Sequence, residues 1–205
     1  MLKRKRDDNK DVSFFLRIPI EDEEESKEEE MTLPQTDGLS SDQIEGLHKV
    51  AQGKRVFITG SAGTGKSFLI DKIVEMLDTN DKKYIITALT GVAASEIMGS
   101  TLNSASRVND ETNVTKSIFW LLKDPEVMKR YEADVWIVDE ISMANITLLK
   151  KIHQVAKALR KNEKPFGGIQ LIAVGDFLQL PPISQDTSRP LFAFEYPEWA
   201  YLIEE

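Results

Sequence analysis

The octapeptide Gly60-Ser61-Ala62-Gly63-Thr64-Gly65-Lys66-Ser67 constrains the fold more than any other stretch of the chain. It matches G-x-x-x-x-G-K-[ST], a loop that wraps a polyphosphate. The glycines allow a tight turn in which successive backbone N–H groups face phosphate oxygens. Lys66 is placed to reach the β- and γ-phosphates, and the Ser67 hydroxyl to complete the shell of a Mg²⁺ ion. All eight residues are therefore candidate nucleotide contacts. The loop works only between a strand and a helix. Arg55–Thr59 is a short β-prone run, and in the segment that follows Leu69, Ile70, Ile73, Val74 and Leu77 share one helical face.

Three further apolar β-prone runs follow, Tyr84–Leu89, Val135–Val138 and Ile169–Val174. Helical patterns separate them, the clearest from Asn145 to Arg160, where Leu148, Ile152, Val155 and Leu159 align. Alternating strands and helices predict an α/β fold, a parallel sheet with helices on both faces. In such sheets ligands gather at the carboxyl ends of the strands.

Charge bounds the partners. The net charge of −8 divides evenly, −4 in residues 1–30 and −4 in the rest, so any grip on nucleic acid has to be local. Residues 1–38 read as a charged, disordered tail, with Lys3-Arg4-Lys5-Arg6 basic and Glu21–Glu30 almost wholly acidic. The folded domain is expected over residues 39–205. No apolar run approaches membrane-spanning length and no signal peptide is evident, which predicts an intracellular protein. The basic cluster fits a nuclear-import signal. The chain has no cysteine, which excludes disulfides, thiolate zinc sites and cysteine nucleophiles. His48 and His153 lack a second ligand at metal spacing and read as ordinary helix residues.

Two strand ends carry further chemistry. Val135-Trp136-Ile137-Val138-Asp139-Glu140 is an apolar run closed by two carboxylates. Beside a phosphate loop, Asp139 would hold Mg²⁺ and Glu140 would orient and activate the attacking water. Gly175-Asp176-Phe177-Leu178-Gln179-Leu180-Pro181-Pro182 follows the last run. Gln179 is placed to bond the γ-phosphate or the attacking water, and the prolines stiffen the exit.

These segments, together with Thr87-Ala88-Leu89-Thr90-Gly91-Val92-Ala93-Ala94 and Asp139-Glu140-Ile141-Ser142-Met143, resemble motifs I, Ia, II and III of a known family. It is the Pif-type (petite integration frequency) DNA helicases, RecD-like members of superfamily 1. Leu39-Ser40-Ser41-Asp42-Gln43 resembles the family's Q motif, which implies that Gln43 reads the adenine edge. Phe192-Ala193-Phe194 with Trp199 resembles the segment after motif III. The resemblance covers roughly residues 39–200. It implies a RecA-like P-loop NTPase domain, Mg²⁺ and ATP as cofactors, and 5′-to-3′ translocation on single-stranded DNA. It also implies DNA contact by Thr90, Gly91, Val92 and Ala93. Asn103 stands in Thr101-Leu102-Asn103-Ser104 where the family usually has histidine. It can hydrogen-bond there, but it cannot carry charge or stack.

The family's arginine fingers and second DNA-gripping surface lie in a second motor domain. The expectation is that a second chain or a downstream segment supplies it. An ATP-binding module that has lost unwinding shares every local residue with this reading. A compact phosphate-loop kinase would need basic lid residues to cover the transferred phosphate and an acceptor pocket; the chain has Asp139-Glu140-Ile141-Ser142-Met143 and Gly175–Pro182 instead.

Overall fold

The computed structural model describes residues 30–61, 63–176 and 192–203. Five strands form one fully parallel sheet: β1 (Val56–Thr59), β2 (Tyr84–Ala88), β3 (Ser100–Thr101), β4 (Val135–Asp139) and β5 (Gln170–Gly175), in the order β1-β5-β4-β2-β3. The four longer strands match the apolar runs. β3, two residues long, has no apolar run to announce it.

The central strands are buried on both faces, and their side chains alternate between two cores. Val135, Ile137, Ile172 and Val174 face α1 (Ser41–Ala51) and α2 (Lys66–Thr79), meeting Leu47, Val50, Ile73 and Leu77. Trp136, Val138, Leu171 and Ala173 face the other way. They meet Leu148, Ile152, Val155 and Leu159 of α7 (Ile146–Arg160). Each such aliphatic side chain, withdrawn fully from water, contributes about 1.5–3 kcal/mol. In α2 the buried stripe is Leu69, Ile70, Ile73, Met76 and Leu77, while Val74 is only half-buried.

Shorter helices fill the connections: α3 (Gly91–Glu96), α4 (Leu102–Ser106), α5 (Val114–Leu121), α6 (Pro125–Tyr131) and α8 (Glu198–Ile203). Their starts are marked by side chains that accept otherwise orphaned N–H groups. Thr90 caps α3, Thr101 α4, Asn113 α5 and Asp124 α6. Trp199 of α8 lies edge-on to Phe57 of β1, ring centroids 5.4 Å apart.

The amino ends of the strands are stitched together by side chains. Asp134 accepts from the Lys83 N–H at 2.9 Å, and Gln170 donates to the carbonyls of Val50 and Lys54 at 2.9 and 2.8 Å. Arg160 donates to the carbonyls of Tyr131, Ala133 and Gly167 at 2.6, 3.1 and 2.6 Å.

Residues ahead of the domain boundary expected at residue 38 make contacts with the domain. Met31 is buried, and its N–H donates to the Ala51 carbonyl at 3.0 Å. Thr32 and Asn80 exchange two hydrogen bonds of 2.9 Å each. The segment from Met31 thus packs on the domain, with Met31 joining the core cluster of α1 and α2. Residues 1–29, Ala62, Gln179 and the double proline lie outside the described residues. Among those described, no helix is long and apolar enough to cross a membrane.

Candidate nucleotide site

Parallel register brings the chemistry to one edge. Thr59 of β1 pairs with Gly175 of β5, and Ala88 of β2 with Asp139 of β4. The loop after β1 and the acidic pair after β4 therefore flank the end of β5. Gly175 makes that crowding possible. A Cβ built on it would lie 3.0–3.2 Å from the Ile141 side chain and the backbone nitrogens of Ile141 and Ser142.

The loop folds on itself. Thr64 returns to the Ser61 carbonyl through its N–H at 3.3 Å and its hydroxyl at 2.9 Å, and Gly63 and Gly65 adopt left-handed conformations. Gly65, at φ +85°, also lies so close to Gln43 that an added Cβ would come within 2.8 Å of the amide nitrogen. Lys66 opens α2, and its ammonium donates to the carbonyls of Gly60 and Ser61 at 2.6 and 3.0 Å. Ser67 follows in the first turn of α2, exposed.

Gln43 occupies a double role. Its side-chain oxygen accepts from the Ser40 N–H at 2.9 Å, closing a capping box on α1. Its amide nitrogen donates to the carbonyls of Thr64 and Gly65 at 3.2 and 3.3 Å. Sequence reading assigned this residue to the adenine edge; in the structure it ties α1 to the phosphate loop.

The acidic pair turns sharply. Glu140 is left-handed at φ 54°, ψ 36°, a conformation costing roughly 1–3 kcal/mol outside glycine. The Asp139 carboxylate holds it there by accepting the Glu140 N–H at 2.8 Å. Burial raises both carboxyls above their ordinary range. For Glu140 the neighbouring Asp139 adds to the rise, as do Asp176 and Glu96, while the Lys66 ammonium opposes it in both groups. The lysine and the two acids thus share one electrostatic site.

A groove of about 230 Å³ runs from this site toward α3, lined by Thr90, Val92, Ala93, Glu96, Glu140, Ser142 and Met143. It joins three of the expected DNA-contact residues to the expected catalytic glutamate. Gly91 and Val92 are exposed at the start of α3. Thr90 accepts the Ala93 N–H there at 3.2 Å. Asn103 is exposed in the first turn of α4, one strand further out. Glu96 escaped sequence reading because it belongs to no motif; only the packing of α3 beside β2 brings its charge to Glu140. His153 is a packing residue, as expected. Its Nδ1 accepts the Phe166 N–H at 3.0 Å, and burial lowers its pKa.

A strand–loop–helix with its lysine facing a paired acid across one intervening parallel strand defines a P-loop NTPase of the RecA-like class. Comparison with known proteins narrows this. The family model for PIF1-like helicases matches residues 38–197. The zebrafish (Danio rerio) ATP-dependent DNA helicase PIF1 is 39% identical over 182 residues, and its human counterpart 40% over 171. The matches cover 88% and 82% of this chain but 28% and 26% of those proteins. The crystal structure of Pif1 helicase from Candida albicans superposes with a TM-score of 0.74 at 42% identity, over 82% of this chain and 38% of that one. A Bacteroides Pif1 helicase solved with ADP-AlF3 and single-stranded DNA gives a TM-score of 0.61 at 25% identity, over 80% and 40%. The chain belongs to the PIF1-like helicase family.

Proposed function

We propose that this chain is the first motor domain of a 5′-to-3′ DNA helicase, coupling Mg²⁺-ATP hydrolysis to movement along single-stranded DNA. The observation that carries the reading is the parallel register that sets the loop after β1 and the Asp139-Glu140 pair on either side of the carboxyl end of β5. A polyphosphate there would take the Lys66 ammonium from the carbonyls of Gly60 and Ser61, exchanging neutral acceptors for charged ones. The backbone of residues 60–65 would wrap the β-phosphate, with Gln43 bracing the loop and lying near the adenine side. Glu140, in the turn that follows β4, is placed to act as the base on an attacking water. Gln179 would sense the γ-phosphate.

The residues present fit Mg²⁺. No group of three or more His, Cys, Asp or Glu among the described residues forms a protein cage. Mg²⁺ in such enzymes uses one or two protein oxygens beside phosphates and waters. Ser67 and Asp139 would hold it, and when bound it neutralises charge on the β- and γ-oxygens.

The first turn of α3 (Thr90, Gly91, Val92, Ala93), exposed at Gly91 and Val92, suits a phosphate track, because small residues let a strand approach closely. Asn103 would add a neutral hydrogen bond. The matched region is about a quarter of its curated relatives' length, so the second motor domain is taken to come from a further segment or a separate polypeptide. The Lys3–Arg6 cluster supports nuclear import.

The test measures phosphate release from Mg²⁺-ATP with and without single-stranded DNA, beside separation of duplexes bearing a 5′ or a 3′ overhang. Residues 1–205 alone are expected to hydrolyse slowly, respond to DNA, and leave the duplex intact. Arginine fingers from a second domain typically supply about 10³- to 10⁵-fold in rate. Robust strand separation by this polypeptide alone would overturn the half-motor reading. Preference for a 3′ overhang after a second motor domain is added would overturn the polarity.

A further inference from the structure

Helix α5 has two apolar faces where a surface helix needs one. Val114, Ile118 and Leu121 pack against the core. Phe119 and Trp120 point outward, 56% and 68% exposed. Their rings meet edge to face, centroids 5.4 Å apart. An exposed aromatic cluster of this kind marks a binding surface more often than a scattered apolar residue does.

The charges beside it indicate the partner. Lys116, Phe119 and Trp120 share one stripe of α5 at helical spacing, and Lys123 follows in the turn after it. The Lys123 ammonium lies 3.9 Å from the Phe119 ring centroid and 5.6 Å from that of Trp120. No acidic residue occurs from Asn113 to Lys123, although the chain as a whole carries −8. Asp124, next in sequence, has its carboxylate engaged in capping α6, accepting from Glu126 and Val127. Protein–protein interface cores are depleted in lysine. Surfaces that take single-stranded nucleic acid interleave basic groups with aromatic rings on which bases stack.

We propose that this stripe is a stacking platform for single-stranded DNA, with an unpaired base on the Trp120 ring and backbone phosphates at Lys116 and Lys123. The site lies outside the motif segments, downstream of Asn103 in the chain. The inference rests on the single-stranded DNA reading above, and its test separates the two.

Trp136 and Trp199 are buried, so Trp120 is the one tryptophan of the three that a base can reach. Titrating the full chain with an oligo-dT at low salt should quench tryptophan emission, and Trp120→Phe should remove the quench. By anisotropy of a labelled oligomer, Trp120→Ala should weaken binding about five- to hundredfold. It should leave affinity for an abasic oligomer unchanged. Far-UV circular dichroism should be unaltered, since the ring is exposed. Binding of oligo-dT without quenching would overturn the platform and leave the DNA reading standing. Absence of any binding would overturn both. Emission that changes with protein concentration, accompanied by a doubled sedimenting mass, would mean that a second copy covers the stripe, and would overturn it too.

Discussion

The side-chain amide of Gln43 donates to the carbonyl of Gly65 across 3.3 Å, and the left-handed Gly65 leaves room for it. The loop's shape therefore depends on a residue outside the loop. Gln43→Ala should cost about 1–2 kcal/mol of stability, through the lost capping box and loop contacts, and weaken ATP binding. Gln43→Glu separates the two effects. It can still accept from Ser40 but cannot donate to the loop, so affinity should fall more than melting temperature. Equal losses in both variants, read by thermal unfolding and nucleotide titration, would show that the brace is structural only.

Lys66→Ala should lower Mg²⁺-ATP affinity by about a hundredfold or more, as charge-assisted bonds of roughly 1.5–3 kcal/mol each are lost. The fold should persist, because the ammonium's present partners are two loop carbonyls. Titration with a fluorescent ATP analogue checks this; unchanged affinity would remove the loop from consideration as the nucleotide site.

Glu140→Gln should retain Mg²⁺-ATP and slow hydrolysis by about 10²- to 10⁴-fold, the usual worth of a positioned general base. Asp139→Asn should chiefly raise the Mg²⁺ concentration needed for half-maximal hydrolysis. Identical Mg²⁺ titrations for the two variants would contradict the division of roles.

The pH profile follows from burial and like charge. Glu140 must be ionised to act as a base, and its pKa is raised above 4.5 by burial, Asp139, Asp176 and Glu96. Hydrolysis should therefore fall with decreasing pH earlier than an ordinary glutamate would allow. Glu96→Gln removes one negative charge, so the acid limb should move to lower pH. A limb that stays put in phosphate-release assays would mean that Glu96 does not act on the Glu140 carboxyl.

Gly175→Ala should destabilise by about 1–3 kcal/mol, because the methyl meets backbone nitrogens that cannot swing aside. Hydrolysis should suffer as well, since the atoms displaced belong to the turn that carries Glu140. Loss of stability with full activity would separate the two.

Much of this architecture was legible in the chain. Val135–Val138 and the apolar run ending at Val174 are near-continuous because both faces of those strands are buried, and the loop and acidic pair are spelled by local chemistry. What escaped depends on contacts far apart in sequence. Ser100 and Thr101 form a strand only because β2 offers them an edge. Met31 is buried because Ala51 and Asn80 lie beside its segment, not because of its acidic neighbours. Gln170 is a polar residue in an apolar strand, and its reason is the pair of carbonyls at Val50 and Lys54. The left-handed Glu140 and the second apolar face of α5 carry no local signal that separates them from ordinary residues.

The stitching at the amino ends of the strands has a mechanical consequence. Toward the carboxyl ends such ties are fewer among the described residues, the buried Thr87 hydroxyl donating to the Ile137 carbonyl at 3.0 Å, so the sheet breathes more readily there. Amide hydrogens near Val135 and Leu171 should exchange slowest, while those near Thr59, Ala88 and Asp139 should open first, without global unfolding. The protein resembles a fan pinned near its base, and its looser rim is the one that carries the loop after β1 and the Asp139-Glu140 turn.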